Sequence, residues 1–256
     1  MDSIQFEKDA PIGWILLDCP QSRNALSLQV INDLVDVLQK IKDDKSIKVI
    51  VIGGNGPAFS SGHDLKELSE DHDKPYYHTL FSTCSKLMQL ISSMPQPVIA
   101  MVHGAATAAG CQLVASCDLV IASEEATFST PGVKIGLFCS TPMVPLSRVI
   151  GHRRALDMLL TGRFVSAEEA KDFGLVNRVV PIDRLKQEVL AIAHEIASYS
   201  GFTVSFGKKS FYDQIDLDLK NAYEHAVDAI VTNCLHPDAK EGIKARLDKR
   251  KPVWIE

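Results

Sequence analysis

Hydrophobic and polar residues follow two different periods along the first half of the chain. The apolar runs Ile12–Leu17 and 48–52 predict buried strands, because a strand covered on both faces has few polar positions. Between them, apolar residues recur every three or four positions after Ser27, which predicts a helix with Ser27 as its N-cap. The same spacing predicts a second helix over residues 76–91. With a first strand near the N-terminus, the first 55 residues predict strand, turn, strand, helix, strand.

The order strand, helix, strand repeats after Pro97. The predicted elements are a strand at Val98–Val102, a helix at 108–115 and a strand at 119–122. Strands that alternate with helices through short turns are typical of right-handed βαβ-type units.

The last third of the chain has the helical period almost throughout. Ser166 and Glu169 form a capping-box pattern before a short helix that Gly174 ends. Longer helices are predicted over residues 183–200, 217–233 and 239–249. We therefore expect an α/β core over residues 1–190 and a C-terminal helical region over residues 191–256.

Composition narrows the class of protein. The chain is 46% hydrophobic and 23% charged, which is typical of a globular protein. A net charge of −5 without a long basic run argues against nucleic acid as a partner. The six cysteines form no C-x-x-C pair and lie mostly in apolar stretches, which predicts reduced core residues and a reducing compartment.

One stretch resembles a membrane span in its lack of charge. No Asp, Glu, Lys or Arg occurs between Lys86 and Asp118, but two prolines and two glycines interrupt it. A buried strand followed by a buried helix explains the stretch better than a membrane span. The N-terminal residues have neither an apolar signal core nor an Arg-rich presequence. We expect that the chain was never targeted, or that a transit segment preceded this N-terminus.

Two segments carry the clearest chemical pattern. AFSSGHDLKE at 58–67 and VIAMVHGAATAAGCQLVASCDL at 98–119 each predict a strand, a small-residue turn and the start of a helix. Such turns direct backbone N–H groups into the space in front of the helix, where they can bind an oxyanion.

With these segments, other stretches in the same order resemble the enoyl-CoA hydratase/isomerase (crotonase) superfamily. They are RNAL at 23–26, PGVKIG at 131–136, LTG at 160–162, AKDFGLV at 170–176 and EGIKARLDKR at 241–250. The resemblance implies an α/β fold: a ββα superhelix with two roughly perpendicular sheets. It also implies a C-terminal helical region that forms homotrimers, often hexamers. The implied ligand is an acyl-CoA thioester, with coenzyme A as part of the substrate and no permanently bound cofactor or metal. Resemblance to a mitochondrial member implies the mitochondrial matrix.

His63 and Ala109 fall on the positions whose backbone amides form the oxyanion hole in this family. Gly62 and Gly110 lack a Cβ and would let the ligand approach the backbone. The imidazole of His63 has two interpretations. It serves as an acid or base near neutral pH, or it points away from the ligand.

Gln112 and Gly132 fall where a hydratase of the family has its two glutamates. An amide cannot exchange a proton at neutral pH, and glycine has no side chain at all. Since general acid–base catalysis contributes ~10²–10⁴-fold per group, hydration should be very slow. The alternative is that other nearby residues took over proton transfer. The candidates are Asp64, Lys134, Ser140 and Thr141.

The resemblance also implies residues that contact CoA. Arg23, Ala25 and Leu26 belong to the loop beside the adenine, and Gly110 lies close to the ligand. Lys66 and Lys249 match positions that contact the phosphates or the adenine, and Lys208 is a weaker third candidate. Asp118 instead has the pattern of a structural carboxylate at a turn.

Three functions remain open at this stage. The first is an acyl-CoA-binding protein of fatty-acid metabolism with hydratase activity absent or vestigial. The second is an enzyme with other acyl-CoA chemistry, such as decarboxylation, thioester hydrolysis, dehalogenation or residual hydration and isomerisation. The third is a scaffold whose CoA pocket is unused.

Overall fold

A computed structural model describes residues 3–255 as ten strands and eleven α-helices, with three short 3-10 helices. The strands are β1 Ile4–Asp9, β2 Ile12–Leu17, β3 Val49–Gly54, β4 Ala58–Ser60, β5 Val98–Val102, β6 Ala105–Thr107, β7 Leu119–Ser123, β8 Thr127–Ser129, β9 Val165–Ser166 and β10 Arg178–Val180. The α-helices are α1 Leu28–Lys42, α2 Leu65–Ser69, α3 Lys74–Ser93, α4 Ala109–Ser116, α5 Met143–Val149, α6 His152–Thr161, α7 Ala167–Phe173, α8 Leu185–Ala197, α9 Gly201–Gln214, α10 Leu219–Leu235 and α11 Pro237–Leu247. The 3-10 helices are Pro20–Ser22, Pro131–Ile135 and Ile182–Arg184.

The strands form two sheets, as the resemblance implies. The larger sheet has the order β1-β2-β3-β5-β7-β10, and the smaller has the order β4-β6-β8-β9. Along the chain, β3, β5 and β7 each lie in the large sheet, and the strand that follows each of them lies in the small one. Each pair of strands is followed by a helix, which is the ββα repeat. All neighbours from β2 to β10 in the large sheet are parallel.

Both faces of the large sheet are covered, which explains the continuous apolar runs. Ile50 and Ile52 of β3 pack into a core with α1, α3 and α4. Val49 and Val51 point to the opposite face, where α8 covers the sheet. The alternation of strand side chains therefore distributes one apolar run between two cores.

Most predicted elements are confirmed to within a few residues. β2 and β5 have the predicted bounds, and the Ser27 hydroxyl accepts a hydrogen bond from Val30 N at the start of α1. At α7 only half of the predicted capping box forms. The Ser166 hydroxyl accepts from Glu169 N, whereas the Glu169 carboxylate pairs with Arg163 at 2.6 Å.

The α9 helix was not predicted. Its packing depends on a buried ion pair rather than on a continuous apolar face. Lys208 Nζ donates to Asp118 Oδ2 at 2.6 Å and to the carbonyl oxygens of Ile91 and Gln96 at 3.0 Å each. Tyr212 donates to the other Asp118 oxygen, which confirms Asp118 as structural.

The Lys208 contacts correct one expectation. Its side chain is 7% exposed, and its three donors are all used inside the protein. Burial lowers the pKa of Lys208, and the Asp118 carboxylate opposes that shift. Lys208 is therefore not a phosphate contact.

The C-terminal helices differ from the core in their exposure. No residue of α9 or α10 is fully buried, and α10 carries exposed apolar side chains along its length. Residue 190, the expected end of the core, lies inside α8, whose inner face packs on the large sheet as far as Ala197. Packing therefore favours a division after α8, and the division itself stays a prediction.

Two further expectations, on membrane spans and on the cysteines, can be compared with the described residues. Between residues 3 and 255, no helix combines the length and the apolar character needed to cross a membrane. All six cysteines are free, and Cys84, Cys111, Cys117 and Cys139 are buried.

Candidate functional site

Three backbone segments meet where the predicted site residues lie. The loop at 23–26 is joined to the segment at 60–62 by hydrogen bonds from Ser61 N to Arg23 O (2.9 Å) and from Leu26 N to Gly62 O (2.7 Å). The Thr107 hydroxyl, at the end of β6, donates to Ser61 O at 2.9 Å. The segment that ends in His63 is therefore held from both sides.

Asn24 organises the first of these loops, and sequence reasoning did not single it out. It has a left-handed backbone with φ 55°, and its side chain is buried. Its amide nitrogen donates to Asn55 O and Ala58 O at 2.8 Å each, while its Oδ1 accepts from Cys19 N. Asparagine tolerates this conformation and bonds to nearby backbone, which was the signal available in the sequence.

The central feature of the site is a close approach between Gly62 and the start of α4. Gly62 has φ +88°, and a Cβ added to it would lie 2.9 Å from Ala109 N and 2.8 Å from Thr107 O. Any side chain at position 62 would therefore press against the Ala109 amide. The absence of a Cβ leaves the space before that amide open.

The backbone N–H groups of His63 and Ala109, called here the amide pair, are both available. Within the described residues 3–255, neither donates to a backbone or side-chain acceptor. Ala109 is the first residue of α4, so its N–H has no partner within the helix and carries the positive end of the helix dipole. The pair thus has the donors that an oxyanion needs.

Ala108 directs the second amide. It has φ 50° and ψ −117°, an unfavourable conformation for a residue with a Cβ. Its N–H donates to Ser129 O at 2.9 Å, and its carbonyl oxygen accepts from Gln112 N at 3.0 Å. These bonds hold the strained turn that precedes α4, and the turn in turn sets the position of the Ala109 amide.

Gly110 packs against β4. An added Cβ would lie 2.4 Å from the Ser60 carbonyl oxygen and 2.7 Å from the Ser60 Cβ. Only glycine allows α4 to begin this close to Ser60, and hence brings Ala109 beside Gly62. Gly110 therefore has a packing role that was not part of the expectation for it.

The imidazole of His63 lies away from solvent and against the protein. Its Nδ1 is 3.3 Å from Leu26 O, and its ring meets Phe81 of α3 edge-on at 5.1 Å. Its Nε2 is buried without a partner among the described residues. Desolvation is the largest cause that lowers the pKa of His63 below 6.5, so the ring is neutral at physiological pH. These contacts favour a positioning role for the side chain.

Gln112 lies within α4, all of whose residues are buried, and is itself 3% exposed. Its Oε1 is 4.0 Å from the Cys84 sulfur, a weak contact. No ionised group lies among its hydrogen-bond partners. An amide in such surroundings can orient a neighbouring group but cannot transfer a proton.

Gly132 is enclosed by the segment that follows it. An added Cβ would lie 2.4 Å from Leu137 O and 2.9 Å from Cys139 Sγ. Leu137 N also donates to Gly132 O at 2.9 Å, which closes residues 131–139 into what we call the closed turn. No side chain fits at position 132 without moving this backbone.

The thiols near these positions are not available for proton abstraction at neutral pH. Burial raises the pKa of Cys84 and of Cys111 to about 12, and it also raises the pKa of Cys139. All three remain protonated at neutral pH. Asp64, one of the residues proposed to take over proton transfer, caps α2 by accepting from Lys66 N at 2.8 Å.

The residues expected to contact CoA fall into two groups. Arg23, Lys66 and Lys249 are exposed, and Arg23 and Lys249 both have φ 54°. Ala25 and Leu26 are buried, with Leu26 0% exposed, and their contact with a ligand stays a prediction. The structure describes one chain, and it brings Arg23 close to the amide pair through the bonds of the 23–26 loop.

An open groove runs beside α3, with a volume of about 550 Å³. Phe81, which contacts His63, belongs to its wall, as do Ser82, Ser85 and Thr141. Phe81 therefore joins the groove to the site, and most of the other lining residues are polar, among them Lys74, His78, Lys86 and Gln89.

Comparisons with known proteins agree with this geometry. A sequence profile described as enoyl-CoA hydratase/isomerase matches residues 7–256. Human (Homo sapiens) enoyl-CoA hydratase domain-containing protein 3, mitochondrial, is 51% identical over 240 residues, which cover 94% of this chain and 79% of that protein. The probable enoyl-CoA hydratase, mitochondrial, of Dictyostelium discoideum is 34% identical over 97% of this chain and 89% of its own length.

Solved structures give the same result. The crystal structure of an enoyl-CoA hydratase from Mycobacterium smegmatis has a TM-score of 0.97 and 42% identity, with all of both chains covered. The crystal structure of the human domain-containing protein 3 has a TM-score of 0.96 and 49% identity, covering 98% of this chain and 100% of that one.

Proposed function

The chain belongs to the enoyl-CoA hydratase/isomerase family, and from this premise we propose that it binds acyl-CoA thioesters in fatty-acid metabolism, with hydratase activity absent or vestigial. One observation supports both halves of the proposal. The amide pair has no acceptor among the described residues and Gly62 leaves the space before the Ala109 amide open, whereas the closed turn fills the space beside Gly132.

The binding half rests on the thioester carbonyl. Two N–H donors at the start of a helix stabilise a carbonyl oxygen that carries partial negative charge, and they do so without any side chain. The acyl chain would then lie in the groove beside α3, with Phe81 next to the carbonyl end. Coenzyme A enters as part of the ligand, and the protein supplies no permanently bound cofactor.

The catalytic half rests on proton transfer. Hydration of an enoyl-CoA needs a base to activate water and an acid to protonate the α-carbon. Gln112 offers an amide, Gly132 offers nothing, and the nearby thiols are protonated at neutral pH. The amide pair can polarise the thioester, but polarisation alone leaves the water and the α-carbon without a proton carrier.

The test separates binding from turnover. Calorimetric titration with a saturated acyl-CoA should give a dissociation constant in the micromolar range, while crotonyl-CoA hydration by the same preparation should be very slow. Turnover at the rate of an ordinary hydratase would contradict the proposal. Binding that is absent altogether would instead favour a scaffold with an unused pocket, and a thermal-shift series with saturating acyl-CoA would show no stabilisation.

A second candidate is favoured by the same retained amide pair. Decarboxylation of a malonyl-type thioester breaks a carbon–carbon bond and releases CO₂. The electron pair of the broken bond stays on the thioester and forms the enolate, so no base is needed. The amide pair would stabilise that enolate oxygen, and solvent would then protonate the carbon. A screen of malonyl-type and aryl thioesters would detect decarboxylation, thioester hydrolysis or dehalogenation, and silence across the set would exclude this candidate.

The CoA moiety should contact the exposed basic residues. Arg23, Lys66 and Lys249 would bind phosphates or adenine, and Ala25, Leu26 and Gly110 would contribute backbone. Replacing Lys66 and Lys249 by alanine should weaken CoA binding while leaving the fold intact. If the affinity for CoA did not change, neither lysine would belong to the CoA-binding site.

We also propose that the chain assembles into a homotrimer or hexamer through its C-terminal helices. On α10, the exposed residues Leu219, Tyr223, Val227 and Ile230 recur at helical spacing and form one apolar stripe. Such a stripe is stabilised when a second copy covers it. Val227→Asp should lower the mass measured by light scattering, with Asp228→Asn on the same helix as the control. A mass that stays unchanged would place the interface elsewhere.

The names of the human and Dictyostelium relatives include the word mitochondrial. By analogy we propose the mitochondrial matrix as the compartment, with delivery by a transit segment. Fractionation of cells that express the full-length protein would test this, and a cytosolic fraction would contradict it.

A further inference from the structure

The groove beside α3 differs along its length in what it offers an acyl chain. Among the described residues that form its wall, Phe81 alone has a wholly apolar side chain. Every other wall residue carries a hydroxyl, amide, imidazole or ammonium group. Phe81 is also the wall residue that meets His63, with 5.1 Å between the ring centroids. The side chain best suited to contact hydrocarbon therefore lies next to the amide pair.

The ring of Phe81 is held in place at this junction. It stands at 89° to the His63 imidazole, an edge-to-face arrangement that stabilises both rings. The imidazole is itself fixed, because its Nδ1 lies 3.3 Å from Leu26 O. Phe81 is only partly buried, so the ring keeps a surface that faces the groove. The structure thus presents a fixed apolar surface beside the place where the thioester would lie.

The groove changes character on moving away from Phe81. Ser85 and Gln89 follow it at intervals of four residues, so they continue the same face of α3. In the other direction the wall contains Lys74 and His78, both of them exposed. The groove is open, so a chain that lies along these residues keeps much of its hydration. Since hydrophobic stabilisation follows the apolar area removed from water, carbons beyond Phe81 gain little.

We infer that Phe81 is the specificity-determining residue of the site and that the site takes short or polar-ended acyl groups rather than long hydrocarbon chains. This inference rests on the proposed binding of acyl-CoA thioesters. The Phe81 ring contacts the first carbons after the thioester, and the rest of the chain lies in the open, polar part of the groove. A hydroxyl or carboxylate at the far end of the chain stays hydrated there. No Asp or Glu among the described wall residues repels such a carboxylate.

The test is a calorimetric titration of the full chain with acetyl-CoA, butyryl-CoA and octanoyl-CoA. Affinity should rise about tenfold from acetyl to butyryl, and by less than about threefold from butyryl to octanoyl. A methylene fully removed from water contributes about fourfold, so a closed apolar tunnel would give more than about hundredfold over the second step.

A fourth ligand tests the tolerance of a polar end. Octanedioyl-CoA has the same chain as octanoyl-CoA but carries a carboxylate at its far end. Its affinity should lie within about threefold of that of octanoyl-CoA, because the carboxylate remains in water. An apolar tunnel would instead exclude the charged ligand, since burial of an unpaired carboxylate is very costly.

Variants of Phe81 assign the first step to its ring. Phe81→Ala should remove most of the gain from acetyl to butyryl, and Phe81→Leu should keep part of it. The matched control is Phe173→Ala, because Phe173 of α7 is also partly buried but lies outside the groove wall. In this control the acetyl-to-butyryl gain should equal that of the wild type.

The outcomes separate this inference from the proposed function. Affinity that rises steadily as far as octanoyl-CoA would overturn the inference while leaving acyl-CoA binding established. An acetyl-to-butyryl gain that persists in Phe81→Ala, or exclusion of octanedioyl-CoA, would do the same. If neither acetyl-CoA nor butyryl-CoA bound to the wild type, the proposed function would fail and this inference with it.

Discussion

The amide pair and the closed turn are both built from small residues, with opposite outcomes. At the amide pair, Gly62 and Gly110 bring two backbone segments together and leave the Ala109 amide uncovered. At the closed turn, Gly132 lets Leu137 and Cys139 pack over the space that a side chain at position 132 would need. Glycine opens a site in one region and closes it in the other. The backbone that surrounds the residue determines which of the two occurs.

This difference is the basis of our proposal that acyl-CoA binding and hydration separate in this chain. The amide pair is made of main chain, so substitutions of side chains leave it intact as long as the glycines remain. Acid–base catalysis depends on two side chains and on the space they need. If positions 112 and 132 correspond to the family's two glutamates, as the resemblance implies, the change at position 112 is chemical only, because glutamine has the size of glutamate. The change at position 132 would also be steric.

The largest effect is expected from filling the space before the amide pair. Gly62→Ala places a Cβ 2.9 Å from Ala109 N at φ +88°. We expect acyl-CoA affinity to fall about hundredfold, equivalent to about 2.7 kcal/mol, in calorimetric titration. Gly174→Ala is the control, because its φ is +90° but its Cβ would meet only Val149 O at 3.9 Å. Both variants should lose about 1 kcal/mol of stability from the left-handed backbone, and Gly62→Ala should lose about 1–3 kcal/mol more because its Cβ would also press against Ala108 Cβ and Thr107 O at 2.8 Å each. Equal affinities would break the assignment of the amide pair.

The next effect concerns the stability of the closed turn. Gly132→Ala forces a Cβ against Leu137 O, so the free energy of unfolding measured in urea should fall by about 1–3 kcal/mol. Gly207→Ala is the matched control, since Gly207 lies in α9 and no atom lies within 4 Å of its added Cβ. There the better helix propensity of alanine should raise stability by up to about 1 kcal/mol. A Gly132→Ala protein as stable as the wild type would show that the turn opens easily.

These contrasts show what the sequence could and could not reveal. The strands and most helices were predictable because their apolar periods reflect burial on one or two faces. The positions of the amide pair came from the family resemblance carried by two short segments of small residues, and their role stays a prediction. The closed turn was not, because the contact between Gly132 and Leu137 depends on how the chain returns after a 3-10 helix. The α9 helix escaped detection because Lys208, a polar residue, makes its main buried contact.

The closed turn also changes what a restored enzyme needs. If positions 112 and 132 correspond to the two family glutamates, a restored enzyme would need a glutamate at both. The structure has room for only the first. Gln112→Glu keeps the size of the side chain, and burial would raise the pKa of the new carboxyl group, which favours a proton donor.

We therefore expect Gln112→Glu to raise crotonyl-CoA hydration about tenfold, less than the ~10²–10⁴-fold per group of a complete site. Gln112→Met is the size-matched control and should give no gain. Adding Gly132→Glu to Gln112→Glu should destabilise the protein without further activity. If the double variant instead gained a second large factor in rate, position 132 would have space after all, and the contrast between the two regions would be lost.

The smallest effect separates the backbone of His63 from its side chain. Because burial lowers its pKa below 6.5, the folded protein keeps the ring neutral while the unfolded chain takes up a proton below pH 6.5. The free energy of unfolding should therefore fall as pH decreases through this range, by at most about 1.4 kcal/mol per pH unit. In His63→Gln that decrease should flatten, and in the exposed-residue control His152→Gln it should persist.

Acyl-CoA affinity at pH 7.5 should be similar in all three proteins, because only the amide of residue 63 meets the thioester. A large loss of affinity in His63→Gln alone would give the imidazole a direct role and make the amide pair an incomplete description of the site.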